Sequence, residues 1–371
     1  MHLENLPLIS VAPGSQQHLQ VLQFGATDAP RKATIQAALH ADEIPAMLVA
    51  QHLREQLGAL EAAGLVEGQV VLVPFANPIG LSQHVHGQHQ GRFDLRDGVN
   101  FNRQHADLVD AVAHTVQGLL GRDEATNAII IRKALRAAAA ELSSPLPAQD
   151  LKHKLLQLAI DADVVLDLHC DGQAAMHLYT LTPLQALGAE LGALLGARAV
   201  LLADESGDSP FDEACSRPWL LLQQRFALHP IPLGCFCATV ELRGQADVSH
   251  DLARQDAEAI VEFLRRRGIV GGTPSHLPAA RCQPTLLAAS EPVIAPHAGI
   301  VVYHAQPGQQ VNAGDVIADL IDPESGQVES LRAQSAGVLY ARSATRWATP
   351  GARIAKIAGR TLARTGRLLG P

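Results

Sequence analysis

Short apolar runs alternate with longer amphipathic stretches from Gln20 to about Arg267. The apolar runs predict seven strands: HLQVLQFGA, KATIQAAL, QVVLVPFA, ADVVLDLH, AMHLYTLT, AVLLADE and CFCATVELRG. Apolar positions at helical spacing predict helices between them, over Ile44–Leu60, Asn127–Leu142, Asp150–Ala162, Pro183–Gly196 and Ser249–Arg267. Most of the strand runs lack strict alternation, which is typical of a sheet covered on both faces. The pattern therefore predicts an α/β domain with a mostly parallel, mixed sheet flanked by helices.

A different pattern follows the Gly- and Pro-rich stretch GIVGGTPSHLPAARCQP. Two similar segments, APHAGIVVY and AQSAGVLYA, each combine short strands with Gly turns and predict a small all-β module. The predicted boundaries are an α/β domain at 1–270, a linker at 271–288, the β-module at 289–360 and a basic tail at 361–371. Through Ala295–Val301 and Gly308–Asp315 the module resembles the barrel-sandwich of biotinyl/lipoyl carrier domains. Those carriers present a lysine on a hairpin, but LIDPESGQVESL contains none, so we expect a structural or oligomerisation module.

Charge and cysteine usage narrow the class of protein. The chain has 29 basic and 37 acidic residues, a formal net charge of −8, and no long Lys/Arg block, which argues against a nucleic-acid partner. Five cysteines without a C-x-x-C pair indicate a reducing compartment and no cysteine-based metal site. No apolar run is long enough to cross a membrane, and the first residues do not resemble a signal peptide. We expect a cytoplasmic protein without a membrane partner.

Two motifs far apart in the chain carry candidate metal ligands. His40 and Glu43 stand in H-x-x-E spacing where a predicted strand meets a helix, in ALHADEIPAML. His169 ends the apolar strand VVLDLHCDG, and Asp167 is placed two residues earlier to orient it. A His/Glu/His set suits zinc with the fourth position left to water. The alternatives are a surface histidine beside a first-turn glutamate and a hydrogen-bonded core histidine.

Two further segments carry groups that a hydrolytic site needs. The loop GRFDLRDGVNFNRQ brings Arg92, Arg96, Asn102 and Arg103 close together in sequence. Arginines there would recognise a carboxylate or stabilise an oxyanion, although a solvated loop also explains them. Glu241 stands in the apolar strand ATVELRG, where a carboxylate needs a partner. It is a candidate general base, and an ion pair with Arg243 is the alternative.

Three histidines and one cysteine have simpler explanations. His84, His86 and His89 in SQHVHGQHQG are candidates for a second metal site, although a solvated loop explains them equally well. Cys170 is a candidate nucleophile, but no base is placed beside it by the sequence, so we expect a packed thiol.

Taken in order, the motifs H-x-x-E, N-x-N-R, D-L-H and E-L-R-G resemble the succinylglutamate desuccinylase/aspartoacylase family, a branch of the zinc carboxypeptidase-like fold. The resemblance covers about residues 30–265. It implies that His40, Glu43 and His169 bind one zinc ion per chain and that Glu241 activates water. Asn102 and Arg103 match the pair that grips the substrate carboxylate, and an upstream arginine polarises the scissile carbonyl. That arginine is Arg92 or Arg96; GRF before NFNR favours Arg92.

The resemblance implies a zinc-dependent amide hydrolase that removes an acetyl- or succinyl-type acyl group from an N-acyl amino acid or related small carboxylate. It also implies a homo-oligomer. The alternatives are a zinc carboxypeptidase, an esterase and a non-catalytic scaffold. A peptidase of this fold brings a mobile tyrosine over the substrate shortly before the catalytic glutamate. Here no tyrosine lies between Tyr179 and Glu241, which favours small N-acyl amino acids.

Overall fold

The computed structural model describes residues 1–361 and 364–370. The helices are α1 (Pro45–Ala62), α2 (Pro78–Leu81), α3 (Val109–Val116), α4 (Glu124–Ala140), α5 (Pro147–Ala159), α6 (Gln185–Leu195), α7 (Phe211–Arg225) and α8 (His250–Arg266). The strands before the linker are β1 (His2–Pro7), β2 (His18–Phe24), β3 (Lys32–Ala37), β4 (Gln69–Val73), β5 (His84–Val85), β6 (Gln88–His89), β7 (Val164–Asp171), β8 (Gln173–Ala174), β9 (His177–Thr180), β10 (Ala199–Leu202) and β11 (Phe236–Gly244). The later strands are β12 (Thr285–Leu286), β13 (Ser290–Ile294), β14 (Gly299–Tyr303), β15 (Gln310–Val311), β16 (Val316–Ile321), β17 (Val328–Arg332), β18 (Gly337–Arg342), β19 (Trp347–Ala348) and β20 (Arg353–Ala358).

A nine-stranded mixed sheet forms the centre of the molecule, in the order β1-β2-β4-β3-β7-β11-β9-β10-β12. The run β4-β3-β7-β11 is parallel, whereas β1, β2 and the β11–β9 pair are antiparallel. Helices cover both faces, as the uninterrupted apolar strands predict. Alternate strand residues enter the two cores: in β4, Val70 and Leu72 face α1, α6 and α8, whereas Val71 and Val73 face α3, α4, α5 and α7. The predicted α/β class with a mixed, helix-flanked sheet is confirmed.

The predicted helices and strands are present with somewhat different boundaries, and some elements were not predicted. Helix α1 begins at Pro45, one residue after the predicted start, because proline suits the first helical turn. Helices α3 and α7 and strand β1 had no sequence prediction. Helix α7 contains Pro218, which interrupts the pattern used to recognise a helix, yet Trp219 beside it is buried in the core. Burial of apolar residues outweighs the local cost of that proline.

The segment after residue 288 folds into two antiparallel sheets around its own apolar core. Strands β13, β20, β18 and β15 form one sheet, and β17, β16, β14 and β19 form the other. Strand β8 of the larger domain pairs with β18, and β12, inside the predicted linker, joins the edge of the main sheet beside β10. The barrel-sandwich resemblance stays a prediction, and residues 362, 363 and 371 of the predicted basic tail lie outside the described residues. Within the described chain, every helix is too short or too polar to cross a bilayer.

Candidate active site

The carboxyl ends of three adjacent strands bring the candidate residues together. Strands β3, β7 and β11 are neighbours in the parallel part of the sheet, so their ends meet at one edge. His40 and Glu43 follow β3, His169 lies near the end of β7, and Glu241 lies opposite His169 in the β7–β11 ladder. Such an edge is where open α/β sheets bind ligands. Residues from distant parts of the sequence thus share one cavity.

Backbone turns with positive φ flank the residues that line this cavity. Ala38 has φ 57°, and its N–H donates to the Leu168 carbonyl at 3.2 Å, which turns the chain toward His40. Gln104, directly after Arg103, has φ 57°, and Arg243 has φ 68°. Non-glycine residues adopt this conformation at a cost of about 1–3 kcal/mol each, and they cluster at functional sites. The surrounding fold therefore holds the site in a conformation that local preferences oppose.

Two histidines direct the same ring nitrogen at one carboxylate. Nδ1 of His40 lies 2.9 Å from Oε1 of Glu43, and Nδ1 of His169 lies 2.7 Å from Oε2. All three residues are buried, and one donor atom of each lies within 4.8 Å of the others. The Glu43 Oε2 atom also accepts the Cys170 backbone N–H at 3.0 Å. The structure thus assembles the three predicted metal ligands into one compact set.

The hydrogen bonds behind the cluster show that the donor set fits a metal ion. The Asn100 Oδ1 atom accepts a hydrogen bond from the Asn102 backbone N–H at 2.8 Å. Because this oxygen is an acceptor, His40 donates its Nε2–H to it at 2.9 Å. Asp167 Oδ2 accepts from His169 Nε2 in the same way, at 2.8 Å. With the proton on each Nε2, both Nδ1 lone pairs face the Glu43 carboxylate. A cation bound by the two Nδ1 atoms and the Glu43 carboxylate would satisfy all three groups. Asn100 and Asp167, which accept from the Nε2 atoms, fix the tautomer that a metal-binding histidine needs.

Burial and nearby charges shift the pKa values of the two histidines in opposite directions. Burial, together with the charge of Arg92, lowers the pKa of His40 to about 4, which keeps the ring neutral. Burial opposes a charge on His169, yet the carboxylates of Asp167 and Glu43 raise its pKa well above the usual value. Two carboxylates around one imidazole thus attract a positive charge at this point. A metal ion bound by His40, Glu43 and His169 would supply that charge in place of a proton.

Of the two candidate arginines, Arg92 lies in the cavity. Its NH1 group is 3.2 Å from both His40 Nδ1 and Glu43 Oε1, and 40% of its side chain is exposed. Arg96 instead forms an ion pair with the buried Asp94, its Nε 3.0 Å from Asp94 Oδ1. Arg96 is not among the described residues that line the cavity. The geometry favours Arg92 as the group that meets a carbonyl oxygen.

Asn102 and Arg103 also line the cavity. Asn102 Oδ1 accepts the Phe211 backbone N–H at 2.8 Å, and Nδ2 lies 3.2 Å from His169 Nε2. The buried Arg103 donates to the Asn102 carbonyl and to the Gly370 carbonyl, both at 2.7 Å, while its Nε has no partner among the described residues. The guanidinium therefore retains one donor without a partner in the described chain.

Glu241 lies beside the ligand cluster without a cationic partner within ion-pair distance among the described residues. Burial raises the pKa of Glu241 to about 8, and the charges of Glu43 and Asp171 add to the effect. Its Oε2 atom has no hydrogen-bond partner in the described chain. The alternative ion pair is wrong, because Arg243 pairs with Asp256 instead. A carboxyl group that exchanges a proton near neutral pH suits acid–base chemistry.

Several cavity residues were not found from the sequence. Lys356, from strand β20, and Leu369 and Gly370, near the end of the chain, all line it. Asp212 lines it too, and burial and the neighbouring Glu213 raise the pKa of Asp212 to about 7. One signal was available for Lys356, since it is a lone lysine in the apolar run ARIAKIAG. Nothing in the sequence around Gly370 indicates a site.

The other sequence candidates lie apart from this chemistry. His84 and His89 stack on each other across the short β5–β6 hairpin, with ring centroids 4.8 Å apart, and His86 is exposed at its turn. Within the described residues, the group that meets the geometry of a metal site is His40, Glu43 and His169. Burial, with the charge of Glu43, raises the pKa of the Cys170 thiol, which disfavours the thiolate. A packed thiol at this position agrees with that environment.

Comparisons with known proteins identify the family of the chain. The family model of the succinylglutamate desuccinylase/aspartoacylase catalytic domain matches residues 29–267. A crystal structure of a succinylglutamate desuccinylase/aspartoacylase family protein from Shewanella amazonensis SB2B has 26% sequence identity and a TM-score of 0.84, covering 96% of this chain and 98% of its own. A crystal structure of a succinylglutamate desuccinylase/aspartoacylase from Shewanella frigidimarina NCIMB 400 has 22% identity and a TM-score of 0.83, covering 96% of this chain and 97% of its own.

A third solved structure shares the fold at lower identity. The product-bound ectoine utilization protein EutE (DoeB) from Ruegeria pomeroyi has 16% identity and a TM-score of 0.68, with coverages of 97% and 95%. No curated protein matches the chain. The family model spans all four motifs, from H-x-x-E to E-L-R-G. The chain belongs to the succinylglutamate desuccinylase/aspartoacylase family.

Proposed function

We propose that this protein is a zinc-dependent amide hydrolase that removes an acyl group from an N-acyl amino acid or a related small carboxylate. The observation that carries the proposal is the pair of Nδ1 atoms facing Glu43, with Glu241 in the same cavity. Two histidines and one glutamate form a three-ligand set typical of catalytic zinc sites. Membership of a family named for deacylases supports the same conclusion.

His40, Glu43 and His169 would hold the zinc ion, which when bound supplies Lewis-acid polarisation of a carbonyl oxygen and of water. Glu241 takes the proton from the attacking water and returns it to the leaving amine nitrogen. The Arg92 guanidinium, adjacent to Glu43, donates to the carbonyl oxygen as negative charge develops there. Each of these groups lines the same cavity, so the substrate amide meets all of them at once.

Arg103 would bind the substrate carboxylate. Its unpaired Nε offers one donor, and a carboxylate that replaces the Gly370 carbonyl gains the second, at the NH2 group. A guanidinium binds a carboxylate through two parallel hydrogen bonds of this kind. Asn102 holds this wall in place through its hydrogen bond to Phe211.

The position of Tyr179 makes a carboxypeptidase the weaker candidate. Its hydroxyl lies 3.4 Å from His177 Nε2 on strand β9, and the residue is 7% exposed. A side chain packed in this way does not move over a peptide.

The test is metal analysis and turnover of the full chain purified without chelators. We expect about one zinc ion per chain, loss of that zinc in His169→Ala, and hydrolysis of N-acetyl or N-succinyl amino acids. Glu241→Gln should keep the metal and lose about 10²–10⁴-fold in kcat, the usual contribution of a general base. Protein that takes up no zinc, or a metal-loaded Glu241→Gln variant with full activity, would contradict the proposal.

A further inference from the structure

The β-module is joined directly to the strand segment that follows the ligand His169. Strand β8 begins two residues after β7 ends and pairs with β18 of the module. The Ala175 N–H donates to the Tyr340 carbonyl at 2.9 Å. At the same junction the Gln173 side-chain oxygen accepts from Arg342 at 2.8 Å and from Arg346 at 2.9 Å. The end of the ligand strand therefore lies against the module.

From this module one lysine extends into the catalytic cavity. Lys356 is the only lysine after residue 154 in the sequence. Its Nζ donates to Asp171 Oδ2 at 2.5 Å, and both residues line the cavity. Asp171 stands two residues after His169, and its Oδ1 accepts the Gly172 N–H at 2.9 Å. The ammonium thus binds the last residue of the strand that carries the candidate ligand.

The ion pair between Lys356 and Asp171 lies among several carboxyl groups. Three carboxyl groups, those of Glu43, Asp171 and Glu241, meet at the ends of adjacent strands. Although burial lowers it, the pKa of Lys356 is raised to about 12, chiefly by Asp171, so the ammonium persists at neutral pH. Removing that charge would leave the partly buried Asp171 carboxylate near Glu241 without its cationic partner, which is costly and favours separation of the two carboxyl groups.

We propose that Lys356 is a positioning residue through which the β-module completes the active site. By holding Asp171, it fixes the end of β7 and the spacing between Asp171 and Glu241. It does not touch the reacting atoms in this role. The inference rests on the proposed function for its kinetic consequence, but its structural consequence at the metal cluster is independent of any substrate.

The experiment compares three full-length variants loaded with zinc or with Co²⁺ as a spectroscopic probe. Lys356→Met removes the charge and keeps most of the volume, whereas Lys356→Arg keeps the charge. Arg346→Ala is the matched control, since it weakens the same junction at Gln173 but does not line the cavity. We expect Lys356→Met to lower kcat at least tenfold with KM changed less than about threefold, because the defect is in positioning and not in substrate binding. Lys356→Arg should recover part of the loss, and Arg346→Ala should keep kcat within about twofold.

The Co²⁺ spectrum reports the geometry of the ligand cluster without any substrate. It should change in Lys356→Met and match the unsubstituted protein in Arg346→Ala. An unchanged spectrum and kcat in Lys356→Met would overturn the inference, as would an equal loss in Arg346→Ala. If the unsubstituted protein binds Co²⁺ but hydrolyses no N-acyl amino acid, the proposed function fails. The spectra of the variants then decide the role of Lys356 alone.

Discussion

Single side chains behind the ligand cluster decide which ring nitrogen each histidine presents. Asn100 and Asp167 hold the Nε2 atoms of His40 and His169, so Nδ1 faces Glu43 in both cases. Asp167 is fully buried, and Gln36 donates to its other oxygen at 2.9 Å. A histidine without such a partner rotates and exchanges tautomers, at a cost in metal affinity.

Asp167→Asn tests this arrangement at the residue scale. The substitution removes the charge that favours His169 as a ligand and sets an amide against the Gln36 donor. We expect zinc affinity to fall about 10–100-fold, as measured by competition with a chelator. Asp319→Asn is the control, because Asp319 holds His304 at the same 2.8 Å distance on the β-module. Equal zinc affinity in the two variants would contradict the role assigned to Asp167.

At the scale of elements, the site depends on a loop packed against a strand end. The Ala41 N–H donates to the Gly91 carbonyl at 3.0 Å, which brings Arg92 beside His40. A Cβ atom on Gly91 would lie 2.1 Å from the Asp42 backbone nitrogen. Only glycine permits this approach, so the loop and the turn after β3 form one unit.

Gly91→Ala should therefore force the loop away from the H-x-x-E turn. We expect a loss of about 1–3 kcal/mol in the free energy of unfolding, the usual cost of overpacking, and lower kcat/KM because Arg92 moves from Glu43. Denaturant unfolding and steady-state kinetics measure the two effects. Gly121→Ala is the control, since a Cβ there meets nothing within 4 Å. A Gly91→Ala variant as stable and active as Gly121→Ala would refute this packing argument.

For the whole molecule, the cluster links the ends of two central strands that separate two apolar cores. His40 and Glu43 follow β3 and His169 belongs to β7, and these strands are hydrogen-bonded neighbours in the middle of the sheet. An ion bound to all three residues therefore holds together elements with packing on both faces. Binding to the folded state alone stabilises the fold in proportion to the logarithm of ligand concentration.

Metal removal should accordingly lower the Tm of the whole chain. At free zinc 1,000 times its Kd, the expected stabilisation is about 4 kcal/mol. Calorimetry with and without a chelator measures it, and His169→Ala should respond little to zinc. If zinc does not change the Tm of the unsubstituted protein, or raises the Tm of His169→Ala by the same amount, the cluster does not hold the ion.

Local sequence determined the fold class and the candidate metal ligands. Apolar runs and helical spacing are properties of neighbouring residues, so they predict a helix-covered sheet before any contact is known. His40 and Glu43 lie three residues apart, and Asp167 precedes His169 by two, so each half of the cluster is visible as a short motif. Helix α7 was not predicted because Pro218 interrupts its apolar pattern, although burial of the helix in the core stabilises it.

Tertiary structure alone decided which other side chains belong to the site. Arg92 and Arg96 are the same residue type in one loop, and only the positions of Glu43 and Asp94 separate their roles. Lys356 lies 185 residues from Asp171, yet chain folding sets them 2.5 Å apart. Contacts at such separation depend on how the sheet orders its strands and where the β-module packs. Short-range patterns therefore predict the ligands, whereas the cavity walls follow from long-range packing.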